Sequence, residues 1–167
     1  EFGHALHGMF SKCTYGSTSM DGVSRDFVEL PSQFMENFAL EKEWLDTWAE
    51  HYQTGEKIPQ EYIDKIKKSS NFQAGYASDR QLSFGMVDMA WHTITEPVTE
   101  PLVDFEQRAM GKTEIMPVVK GSAFSPAFGH IFAGGYAAGY YGYKWAEVLD
   151  ADAFSLFKQN GIFDKAT

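Results

Sequence analysis

The chain opens on Glu1-Phe2-Gly3-His4-Ala5-Leu6-His7, a carboxylate followed closely by two imidazoles. The metal-hydrolase pattern H-E-x-x-H works because a helix puts residues four apart on one face. Both histidines then reach one cation, and the glutamate between them polarises the attacking water. Here the leading histidine would stand just before Glu1. Taken alone, E-x-x-H is weak, since a helix N-terminus with a surface histidine satisfies it equally well.

A second segment with chemical potential is Arg25-Asp26-Phe27-Val28-Glu29-Leu30-Pro31-Ser32-Gln33, in which 24 residues separate Glu29 from His4. A carboxylate and an imidazole are the O and N donors that zinc accepts. On a helix, Asp26 and Gln33 would share the face of Glu29 at i−3 and i+4, where they could orient a ligand. A third segment runs Phe128-Gly129-His130-Ile131-Phe132-Ala133-Gly134-Gly135-Tyr136 and on through Tyr140, Tyr141 and Tyr143. A neutral tyrosine O–H or histidine N–H can stabilise negative charge that develops on an oxygen during a reaction. Gly134 and Gly135 would let backbone approach a bound ligand and let the loop move. The plainer reading, tyrosines packing the start of a helix, is assigned to Tyr140 and Tyr141 but not to Tyr136 or Tyr143.

These three segments, in this order, resemble the thimet-oligopeptidase family of zinc metallopeptidases, which includes oligopeptidase A and bacterial peptidyl-dipeptidases. The likeness covers nearly the whole chain. It implies that residues 1–167 are a fragment of a metallopeptidase catalytic domain, an all-α, helical zincin-type subdomain truncated at both ends. It further implies zinc held by the histidine before Glu1, by His4 and by Glu29, with water in the fourth position. Glu1 would be the general base, and His130, Tyr136 and Tyr143 would hold the oxyanion and substrate backbone. Gly134 and Gly135 would line the substrate, while His7, Asp26 and Gln33 would orient the ligands; Arg25 would pair with a carboxylate.

Short peptides are the implied substrates, trimmed by C-terminal dipeptides or cut internally. With two of three protein ligands, weak zinc binding and little activity are expected of this chain, together with self-association through uncovered aromatic surface. The competing reading is a non-catalytic helical module for packing or peptide binding. The two differ on whether His4 and Glu29 meet at a metal.

Periodicity supplies the elements that must place these residues. A helix already under way at residue 1 and a Ser/Thr/Gly-rich loop over 13–22 lead to a second helix. That helix is capped by Ser24 or Asp26 and passes through Phe27, Glu29, Phe34 and Phe38. Pro31 must kink it or lie in its first turn. Helical spacing recurs at Trp44, Leu45, Trp48 and Tyr52, and again at Tyr62, Ile63 and Ile66 after Pro59. The segment 79–93 reads as a helix buried on most sides, and 102–110 as a short one ended by Gly111. Residues 114–135 are irregular, with an extended stretch at 115–119, and a last helix spans 136–159 before Asn160-Gly161.

The formal net charge of −9 argues against nucleic acid as a partner. Between Lys120 and Lys144 no Asp, Glu, Lys or Arg occurs. The glycines, Pro126 and tyrosines there read as a buried or pocket-lining segment, not a membrane span. One cysteine, Cys13, excludes an intrachain disulfide and fits a reducing, cytoplasmic setting.

Overall fold

The structure, a computed structural model, describes residues 1–167. The architecture is all-α: α1 (Phe2–Phe10), α2 (Leu30–Glu36), α3 (Lys42–Leu45), α4 (Gln60–Ser69), α5 (Ala74–His92), α6 (Leu102–Met110), α7 (Gly129–Phe132) and α8 (Gly142–Asn160). The one extended pairing is an isolated antiparallel bridge between Glu50 and Lys57, and residues 115–119 form no strand. No helix is long and apolar enough to cross a membrane. The chain folds as two compact units, residues 1–73 with 145–167 and residues 74–144.

In the first unit, α2 begins later than the periodicity predicts. Residues 25–29 are turns and Pro31 falls in the first helical turn, where its missing N–H costs nothing. Phe34 and Phe38 then meet Phe154 and Phe157 of α8 edge-on, around a small core of Phe38, Phe154 and Ile162. The expected helix through Tyr52 stops at Leu45. His51 Nδ1 accepts the N–H groups of Gln53 and Thr54, and Gly55 adopts φ 71°. Those contacts close a turn that leaves Tyr52 87% exposed. Leu45, Ala49 and Ile63 form a second core, and Glu41 joins α4 to α8 by accepting from both Lys67 and Lys158.

In the second unit, α5 starts at Ala74 and buries one stripe only: Ser83, Phe84, Val87 and Asp88. Leu82, Met86 and Met89 stay exposed, so the expectation of a helix buried on most sides does not hold. The core joins Phe84 and Val87 to Met110 of α6 and to Phe128, Ile131 and Tyr140. Thus the charge-free segment does supply much of a core. Its irregular backbone is satisfied by carboxylates from the helices: Glu106 accepts the N–H groups of Phe124 and Ser125, and Asp88 those of Ala138 and Tyr140. The last helix begins at Gly142, six residues later than the sequence predicts. Gly135 at φ 80° and Ala138 at φ 52° cannot belong to a right-handed helix.

Candidate metal and substrate sites

The first constellation lies where α1 crosses the start of α2. Gly3 makes the crossing possible: a Cβ there would stand 2.0 Å from the Pro31 carbonyl oxygen and 2.6 Å from Ser32 Cα. With the backbones this close, His4 Nε2 comes to 3.2 Å from Glu29 Oε2. Glu29 is the N-cap of α2 and is only 6% exposed. A buried carboxylate needs partners, and the Ser32 hydroxyl lies 2.8 Å from Glu29 Oε2 and 2.8 Å from the Glu29 carbonyl oxygen. The hydroxyl carries one hydrogen and both oxygens are acceptors, so it donates to one of the two at a time. Ser32 drew no attention in the sequence; its signal was a hydroxyl at i+3 from a candidate ligand.

The remaining residues of this group are placed differently. Glu1 is the N-cap of α1 and exposed, its carbonyl accepting the Ala5 N–H. His7 turns into an apolar groove of about 380 Å³ formed by Gly3, Leu6, Phe10, Phe27, Pro31, Phe34 and Met35. Its ring meets Phe27 edge-on, and its Nδ1 is buried with no hydrogen-bond partner. Asp26 falls in the turns before α2, so the helical i−3 relation to Glu29 is absent; Gln33, inside α2, donates its backbone N–H to the Glu29 carbonyl.

The second constellation belongs to the second unit. His130 sits in the single turn of α7, exposed, with its ring centroid 5.9 Å from Tyr136 and 6.5 Å from Tyr143. Tyr136 and Tyr143 stack on each other at 5.2 Å with 23° between planes. The sequence placed these three in one group, and the fold brings their rings together. Tyr140 packs into the core against Phe84 and Phe128, where burial raises its phenol above the ordinary tyrosine value. Tyr141 is 49% exposed and passes over Gly85 of α5, where an added Cβ would lie 3.9 Å from its Cα and Cβ. Gly134 has a reason within the chain: a Cβ would lie 2.8 Å from His130 Cα, so only glycine lets the segment fold back over that turn.

His4 and Glu29 offer one imidazole nitrogen and one carboxylate oxygen, which are donor types zinc takes. No group of three or more His, Cys, Asp or Glu side chains converges on one point. The residues therefore fit part of a zinc donor set.

Comparison with known proteins covers the full length. Peptidase family M3 matches residues 1–167. The chain is 48% identical to the organellar oligopeptidase A, chloroplastic/mitochondrial, of Arabidopsis thaliana, an alignment covering 98% of this chain and 21% of that protein. It is 45% identical to oligopeptidase A of Escherichia coli, over 100% of this chain and 25% of the relative. It is also 39% identical to the dipeptidyl carboxypeptidase of Escherichia coli, over 96% and 24%. The chain thus spans between a fifth and a quarter of the length of these curated relatives.

Proposed function

The chain belongs to peptidase family M3, and from that premise we propose that the protein carrying it is a zinc metallopeptidase acting on short peptides. The observation that supports this most is the approach of His4 Nε2 to 3.2 Å from a buried Glu29 carboxylate, across 24 intervening residues. The names of the relatives, oligopeptidase and dipeptidyl carboxypeptidase, support peptides as the substrate class.

In this reading His4 and Glu29 hold the metal together with a histidine preceding Glu1, and zinc when bound supplies Lewis acidity and a more acidic water. Ser32 keeps the Glu29 carboxylate in one orientation. The Glu1 carboxylate takes the proton of the attacking water and passes it to the leaving amine. The hydroxyls of Tyr136 and Tyr143 and the His130 ring donate toward the charge that develops on the peptide carbonyl oxygen. Gly134 and Gly135 keep the backbone beside them free of side chains. Asp26 and Gln33 are proposed to orient the metal ligands, whereas the His7 ring packs in the apolar groove against Phe27.

With two protein donors only, the 167-residue chain is proposed to bind zinc weakly and to cleave little. Copies would associate through exposed aromatic surface, to which Trp48, Tyr62 and Phe72 contribute, and sedimentation at rising concentration reads that directly. A cytoplasmic setting is proposed from the single cysteine, although one relative is named as organellar.

The test is cleavage of short quenched-fluorescent peptides by the zinc-loaded full-length protein. Cleavage that a chelator stops and Glu29→Gln abolishes is expected. Peptide binding without cleavage in the zinc-loaded protein would favour the non-catalytic module instead.

A further inference from the structure

Asp88 has 0% of its surface exposed, although it carries a charge-bearing carboxyl in a unit of aromatic rings. Isolating such a group from water is costly unless its lone pairs are satisfied. Here Oδ1 accepts the Ala138 N–H at 2.9 Å and Oδ2 accepts the Tyr140 N–H at 2.9 Å. One turn along α5, His92 Nδ1 lies 2.8 Å from the same Oδ1 and 2.8 Å from the Asp88 carbonyl oxygen. Both amides come from the short stretch between Tyr136 and Tyr143.

That stretch is also strained. Ala138 sits at φ 52°, in the left-handed region that is unfavourable for a residue with a side chain. Such a conformation persists only where its surroundings impose it. The carboxylate of Asp88 holds the N–H of Ala138 itself and, two residues on, that of Tyr140. What the conformation achieves is a ring arrangement. The chain turns sharply enough for Tyr136 to stack on Tyr143 at 5.2 Å, with His130 5.9 Å from the first ring.

We infer that Asp88 is a positioning residue, a two-point carboxylate clamp, braced by His92, that sets the relative placement of Tyr136 and Tyr143. It touches no substrate and no reacting atom. The functional half of the inference rests on the peptidase reading above; the clamp itself rests on geometry alone.

Amide hydrogen exchange separates the two. In the 167-residue chain, the amides of Ala138 and Tyr140 are expected to exchange as slowly as that of Val87 in the helix core, although both lie outside any helix. Exchange at ordinary loop rates would overturn the clamp, and this needs no variant to fold. Asp88→Asn leaves one carbonyl acceptor for two donors, so at least one amide should speed up by roughly tenfold or more, and Asp88→Ala should free both. The nuclear Overhauser contacts between the Tyr136 and Tyr143 rings should weaken with them. In the zinc-loaded full-length protein, Asp88→Asn is expected to lower kcat about tenfold while KM and zinc content stay unchanged. A loosened loop with unchanged kcat would overturn the positioning role. If the unsubstituted protein cleaves no peptide, the peptidase reading fails, and the exchange rates still decide the clamp.

Discussion

Gly3 and Pro31 are in closer register than any side chain would permit, for a Cβ on Gly3 would lie 2.0 Å from the Pro31 carbonyl oxygen. The clash would be with backbone, which cannot rotate aside. The metal-ligand geometry proposed for this protein therefore depends on a residue with no side chain, one position before His4.

Gly3→Ala should push α1 away from α2 and lengthen the approach of His4 to Glu29. Overpacking of this kind costs about 1–3 kcal/mol. Thermal unfolding should fall accordingly, and zinc affinity should fall further than the stability loss alone explains. Unchanged zinc affinity in the folded variant would separate the helix crossing from the metal site.

Ser32→Ala removes the hydroxyl that lies 2.8 Å from Glu29 Oε2. Partners of metal ligands are worth about 10–100-fold in affinity. A zinc titration should show a loss in that range, together with a lowered melting temperature, since the buried carboxylate loses a hydrogen-bond donor.

Asp150 is buried on α8, and its carboxyl is pushed above the ordinary aspartate value. Burial is the main cause, opposed by a hydrogen bond from Asn37 and reinforced by the charges of Glu147 and Glu36. A raised value in the folded state means that Asp150 costs stability progressively as the pH rises above its unfolded value, and fully once the pH exceeds the folded one. Asp150→Asn should therefore raise the melting temperature near neutral pH, and the gain should shrink as the pH falls and the wild-type carboxyl takes up its proton. A gain independent of pH would contradict this account.

Glu41 behaves in the opposite sense. Burial raises its value, but hydrogen bonds and charge attraction from Lys158 and Lys67 outweigh that and hold it below the ordinary glutamate range. Its contribution is present above the unfolded value and lost as pH falls through the folded one. Glu41→Gln should cost stability at neutral pH, and the difference from wild type should vanish in acid. Unfolding by denaturant at several pH values reads both carboxylates.

How much of this was legible beforehand follows from where helical periodicity competes with backbone geometry. The helices α4, α5, α6 and most of α8 could be read because their apolar spacing is not interrupted by any residue with a positive φ. The pattern Trp44, Leu45, Trp48, Tyr52 misled, because His51 and Gly55 close a turn whose hydrogen bonds leave no trace in hydrophobicity. The late start of α8 was hidden for a similar reason. Ala138 adopts φ 52° under the influence of Asp88, which is 50 residues earlier in the chain. In the candidate sites, the side chains that the fold brings together could be read, and Gly3 and Ser32 beside them could not. Gly3 and Ser32 look unremarkable within their motifs. Asp88 did carry a signal: a lone acid in register with Phe84 and Trp91, on a face otherwise apolar.

The central claim is that His4 and Glu29 are donors to one metal ion. The most direct measurement is a competitive zinc titration of this chain carrying one histidine ahead of Glu1, alongside the same protein with His4→Ala or Glu29→Gln. The account predicts one zinc per chain, with either substitution weakening binding by roughly 100-fold or more, since deprotonated ligands of a preformed site supply most of the affinity. Zinc bound equally well after Glu29→Gln would contradict it, because the carboxylate 3.2 Å from His4 would then be a packing partner and nothing more.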